Sequence, residues 1–179
     1  MVRPEPDPVT GKYIARGYSA VGKEKISQDV YDDKGLENQR KVEDVKELFD
    51  MGPDKGTPSI REPNRFPREH LIPGFQEFMR DFYWEANSLS LQIQNCFALG
   101  LSLEENYFTD FHKDADNLFR LIHYPAVERR AIRSGEKARI PPHTDFGSLT
   151  ILFQDNVGGL EVENPSKSKT YSMTCPPQL

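Results

Sequence analysis

From residue 75 to residue 97, apolar side chains recur at steps of three and four: Phe75, Phe78, Met79, Phe82, Ala86, Leu89, Ile93, Cys96 and Phe97. A helix turns once every 3.6 residues, so this spacing lays them along one stripe. It predicts a long amphipathic helix that stops near Gly100. Upstream, Leu36, Val42, Val45, Leu48 and Phe49 also suit one helical face. A second helix is therefore expected over 36–51, ended by Gly52 before Pro53. Beyond residue 112 the period drops to two. The runs "LFRLIHYP", "SLTILFQD", "GLEVEN" and "TYSMTC" are short and β-prone, and Gly, Pro, Asn and Ser separate them. Helices first and strands second point to an α+β fold with an antiparallel sheet.

Punctuation fills in the rest. The first 35 residues carry Gly, Pro and charge without a sustained period, and read as extended or loop structure. Five prolines between 53 and 73 make that stretch a loop. "SLEE" offers a capping box, with Ser102 as N-cap and Glu105 three residues on, opening a short helix toward Phe111. "DNVGGL" and "NPSKSK" are turn-like.

Composition narrows the function classes. A chain of 179 residues fits one ordinary domain. The net charge of -5, with basic residues scattered, argues against a nucleic-acid partner. No apolar stretch approaches the roughly 18 residues that span a bilayer, so no membrane partner is expected. The opening "MVRPEPDPVTGKY" has no apolar core of a secretory signal. Cys96 and Cys175 lie in no C-x-x-C pattern, which suits reduced thiols, although one disulfide would also fit. These features together point to the cytoplasm. Nothing in the pattern specifies an oligomeric state.

The chemistry centres on "PPHTDFGSLTILF", residues 141–153. Residues two apart on a strand point to the same side, so His143 and Asp145 would present an imidazole and a carboxylate together. Those are two thirds of the 2-His-1-carboxylate triad, which binds Fe(II) and leaves open coordination positions. Spacing alone fits equally well a surface histidine beside a turn-forming aspartate.

The longer stretch "PPHTDFGSLTILFQDNVGGLEV" resembles the first metal-binding segment of the iron(II)- and 2-oxoglutarate-dependent dioxygenases, in the branch that includes isopenicillin N synthase. "RGY", "KELFDMG", "NRFP", "PGFQEFMRDFY" and "FRLIHYP" are similar to upstream pieces of that family, so the resemblance runs over about residues 16–165. It implies N-terminal helices packed on a partial double-stranded β-helix (jelly-roll) core, with a helical region over 1–112 and the jelly-roll region over 113–179. It implies His143 and Asp145 as ligands of Fe(II), 2-oxoglutarate as co-substrate, and oxidation of a small-molecule substrate. Tyr124 matches a tyrosine that often hydrogen-bonds the oxo-acid, although Ile122 and His123 stand where plant members commonly have Asn and Tyr. A half-buried strand aromatic is the ordinary alternative for Tyr124. Leu149 and Ile151 would line or back the pocket, or simply pack the core.

Family members also have a second ligand histidine downstream, followed by an Arg-x-Ser that grips the distal carboxylate of 2-oxoglutarate. No histidine follows His143 here, and His70, His112 and His123 all precede it. Arg120 and Arg139 are close in sequence, but nothing in the pattern assigns either to that carboxylate, and Asp155, Glu161 or Cys175 would become a ligand only by accident of folding. No "IPVIDF"-like opening strand is visible either. The expectation is a family member cut at both ends, with two outcomes open: an oxygenase that needs a third ligand from elsewhere, or a non-catalytic fragment or binding module.

Overall fold

The computed structural model describes residues 16–23, 42–54, 63–140, 143, 145, 147–164 and 169–173. The chain divides into two compact units, residues 1–146 and 147–179. In the first unit, strands β1 (Gly17–Ser19), β3 (Glu47–Met51) and β4 (Phe119–His123) form an antiparallel sheet in the order β1-β3-β4. Two further short strands, β2 (Glu43–Asp44) and β5 (Lys137–Ala138), pair in parallel. Three helices accompany them: α1 (Phe75–Gly100), α2 (Thr109–His112) and α3 (Arg129–Arg133). The second unit contributes an antiparallel hairpin of β6 (Leu160–Asn164) and β7 (Lys169–Met173). The architecture is α+β with predominantly antiparallel pairing. No described helix is long and apolar enough to cross a membrane.

The long helix stands where its spacing places it. The apolar stripe and the buried face nevertheless differ. The helix buries Met79, Tyr83, Gln94 and Ala98, a face roughly a quarter of a turn from the centre of the apolar stripe. Phe78 stays 64% exposed and Phe97 53%. Met79 and Tyr83 close on Met51 of β3, with Phe49, Phe66, Phe75, Trp84 and Phe119 packed around them. This face wins because it meets the sheet, and Tyr83 also donates its hydroxyl to the Ala115 carbonyl at 2.6 Å. A buried phenol needs such an acceptor.

Residues 43–51 correct the expectation of a helix over 36–51; residues 36–41 of that prediction lie outside the described set. Val45, Leu48 and Met51 are buried, as a helix would allow. β3 instead pairs Leu48 with Ser19 on one side and with Ile122 on the other. Two flanking strands satisfy both edges of the backbone, and that outweighs an apolar spacing of helical period. Gly52 is therefore no helix stop. A Cβ there would run into the Arg16 guanidinium. Asn64 clamps the Gly52 backbone, accepting from its N–H at 2.8 Å and donating to its carbonyl at 2.8 Å.

Ser102 is a second correction. It does not cap a following helix; it ends α1. Its φ is 58°, its N–H bonds the Leu99 carbonyl, and the Leu103 N–H bonds the Ala98 carbonyl. Those two bonds make the Schellman closure, which usually places glycine where Ser102 sits. Only four residues, Thr109–His112, go on to form α2.

In the second unit β6 and β7 appear where β-prone runs predict them. Asn164 pairs with Lys169 across residues 165–168, which lie outside the described set. The "DNVGGL" turn forms: the Val157 N–H donates to Asp155 Oδ1 at 2.9 Å, and Gly158 and Gly159 take φ of 78° and 102°. "SLTILFQD" forms no strand among the described residues. Leu149 and Ile151 remain half-buried while Thr150 and Leu152 are exposed, so the alternation survives without a ladder. Alternating side chains shape a strand only where a neighbour takes its hydrogen bonds.

Candidate metal centre

Two strand ends set up the site. β4 delivers Tyr124 one residue past its last ladder pair, Glu47 with His123. β5 delivers Arg139 one residue past its pairing with β2. Four residues beyond Arg139 comes His143.

The His143 Nε2 and Asp145 Oδ1 atoms lie 3.6 Å apart, with 25% and 53% of the two side chains exposed. Ligand atoms each about 2.1 Å from one ion stand about 3.0 Å apart at a right angle and about 3.4 Å apart at the tetrahedral angle. A few tenths of an ångström of side-chain adjustment therefore lets one divalent ion touch both. One imidazole nitrogen and one carboxylate oxygen suit iron and other transition ions, not calcium. Among the described residues, no third His, Cys, Asp or Glu joins them in a metal-sized group.

The remaining histidines have other work. His70 is exposed in the proline-rich loop. His112 ends α2, its Nδ1 2.8 Å from the Phe108 carbonyl. His123 sits 2.7 Å from Glu47 Oε1. Asp155 is committed to its turn, Glu161 lies exposed in β6, and Cys175 falls outside the described residues.

The structure also sorts the two arginines. Arg120 clamps Asp50 through Nε and Nη2, both at 2.7 Å, the fork geometry that suits a carboxylate. It is part of the sheet. Arg139 instead places its guanidinium carbon 5.6 Å from the Tyr124 ring centroid, and its Nη1 donates to the Tyr124 carbonyl at 3.4 Å.

One constellation had no signal in the spacing. On the exposed end of the sheet, Tyr18 donates to Glu47 Oε2 at 2.6 Å while His123 meets Oε1. The hydrogen bond from Tyr18, then that from His123, holds the Glu47 carboxyl below its ordinary range. Donation to Glu47 raises the Tyr18 phenol. Register alone unites these residues, which come from three strands.

Known proteins share this sequence and backbone. Residues 106–178 match the 2OG-Fe(II) oxygenase superfamily. A proline hydroxylase of Petromyces alliaceus is 40% identical over 168 residues, covering 94% of this chain and 47% of that protein. A 2-oxoglutarate-Fe(II) type oxidoreductase of Metarhizium rileyi is 41% identical over 158 residues, covering 87% and 43%. A full-length Neurospora crassa protein, crystallised in complex with alpha-KG, superposes with a TM-score of 0.72 at 35% identity, over 90% of this chain and 49% of that one. The chain thus spans about half the length of the relatives it matches. It belongs to the iron(II)- and 2-oxoglutarate-dependent dioxygenase superfamily.

Proposed function

We propose that the chain carries the metal-binding part of an Fe(II)/2-oxoglutarate-dependent oxygenase that oxidises a small molecule. The observation that carries this is the His143–Asp145 pair, 3.6 Å between ligating atoms, inside a segment that matches the superfamily. Bound Fe(II) would supply the activation of O2 that couples oxidation of 2-oxoglutarate, to succinate and carbon dioxide, with oxidation of the substrate. His143 would contribute an imidazole nitrogen and Asp145 a carboxylate oxygen, whose negative charge would partly offset the ion's. Tyr124, half-buried beside Pro125, offers its hydroxyl to the oxo-acid.

The relatives support a small-molecule substrate: one is named for proline, and the Neurospora crassa protein has been crystallised with thymine. They also support the jelly-roll assignment; the isopenicillin N synthase-like branch rests on the motif alone. A family match beginning at residue 106 fits a start of the jelly-roll segment near residue 113 in sequence, although the compact units divide at residue 146. The exposed, unpaired thiol of Cys96 suits a cytoplasmic site of action. The other reading left open by the sequence is a non-catalytic binding module.

Succinate formation separates the two. With Fe(II), 2-oxoglutarate, ascorbate and O2, the oxygenase reading expects slow succinate release that His143→Ala abolishes. Binding of 2-oxoglutarate without succinate, in wild-type protein shown to be folded, would leave the binding module. Succinate at the same rate in wild type and His143→Ala would overturn both.

A further inference from the structure

We infer that Arg139 is a positioning residue for the oxo-acid: it fixes Tyr124 and ties it to the metal-binding stretch. The inference rests on the oxygenase reading above and adds to it a residue to which the motif gives no role.

Two arginines lie near the site in sequence, and their surroundings separate them. Arg120 is spent on Asp50, with both nitrogens of its fork on the two carboxylate oxygens. Arg139 makes both its described contacts with one residue. Its guanidinium lies over the Tyr124 ring at 5.6 Å, within the roughly 6 Å over which a ring face attracts a cation. Its Nη1 reaches the carbonyl of that same tyrosine, at a distance that makes this bond the weaker of the two. The ring and the backbone of Tyr124 are thus held by one side chain.

The location makes the hold consequential. Tyr124 stands one residue past the ladder pair of Glu47 with His123, so the sheet does not carry its register further. Pro125 follows it, without a backbone N–H to donate. Arg139 stands one residue past the β2–β5 pair. Between Arg139 and His143 lie only three residues. A short connection therefore links the group that orients the tyrosine to the group that would bind the metal. The described contacts of Arg139 are with Tyr124 and not with His143 or Asp145, so its effect passes through Tyr124.

The test is a double-mutant cycle read by 2-oxoglutarate affinity, followed anaerobically through the visible band of the Fe(II) chelate, with Fe(II) affinity measured separately. Arg139→Ala is expected to weaken 2-oxoglutarate binding by about two- to fivefold, the range of an exposed cation–π contact, while Fe(II) affinity and melting temperature hold. Arg139→Lys, which keeps a cation over the ring, should recover part of the loss. In a Tyr124→Ala background, Arg139→Ala should add nothing. An equal loss in both backgrounds, or a parallel fall in Fe(II) affinity, would overturn the inference and leave the oxygenase reading standing. No chelate in wild-type protein would overturn the reading itself, and the inference with it.

Discussion

Around Met51, which has no exposed surface, Met79, Tyr83, Phe49 and Phe119 close a core between α1 and the sheet. Beyond β5, His143 and Asp145 keep 25% and 53% of their side chains open. The first region is secured by apolar area and by a buried phenol with its acceptor. The second has, among its described contacts, one arginine laid on a tyrosine. Packing fixes where the strand ends lie, and the proposed metal ligands follow one of those ends in the chain. The difference teaches that stability and binding are separable here: a change in the core should cost folding and leave the ligand chemistry alone, and a change in the metal stretch should do the opposite.

The largest way to break that contrast is from the core side. Met51→Ala removes a fully buried side chain and is expected to destabilise the fold by about 2–5 kcal/mol, measured by urea unfolding. Where the variant stays folded, its Fe(II) affinity should match wild type. A fall in metal affinity without loss of stability would show that the two regions are coupled.

The core also shows what a one-dimensional pattern carries. α1 was legible because nine apolar positions at helical spacing cannot be read otherwise, and β4, β6 and β7 because β-branched and aromatic runs lie between turn residues. β3 was not legible. Val45, Leu48 and Phe49 fit the helical steps of three and four, and the strands that overrule that spacing lie about 30 and 70 residues away. Which face of α1 meets the sheet was hidden for the same reason. In the metal stretch, the closeness of His143 and Asp145 was legible because it depends on local order, i and i+2. The grip of Arg139 on Tyr124 and the cluster of Tyr18, Glu47 and His123 were not, because each comes from register between distant segments.

A smaller effect sharpens the comparison at the end of α1. Ser102 holds a left-handed backbone conformation that costs a residue with a Cβ about 1 kcal/mol. Ser102→Gly should raise stability by up to about that amount without altering metal affinity. Destabilisation would mean that the serine side chain is needed.

The smallest effect is expected at the exposed end of the sheet. Glu47 has a folded-state carboxyl pKa below its ordinary value of about 4.3. Its contribution is therefore fully present above that ordinary value and is lost as pH falls through the lower, folded value. Glu47→Gln should reduce stability slightly near pH 7, and the gap from wild type should close as acidification passes that lower, folded value. A gap that widens on acidification would contradict the assignment.

The central claim is that one ion bridges His143 and Asp145 and that 2-oxoglutarate chelates it. An anaerobic titration of the purified chain with Fe(II) and 2-oxoglutarate, followed by the weak visible charge-transfer band, tests it most directly. The account predicts a band in wild-type protein that His143→Ala abolishes with little change in melting temperature. Undiminished 2-oxoglutarate binding in His143→Ala, or no band in a wild-type chain shown to be folded, would contradict it.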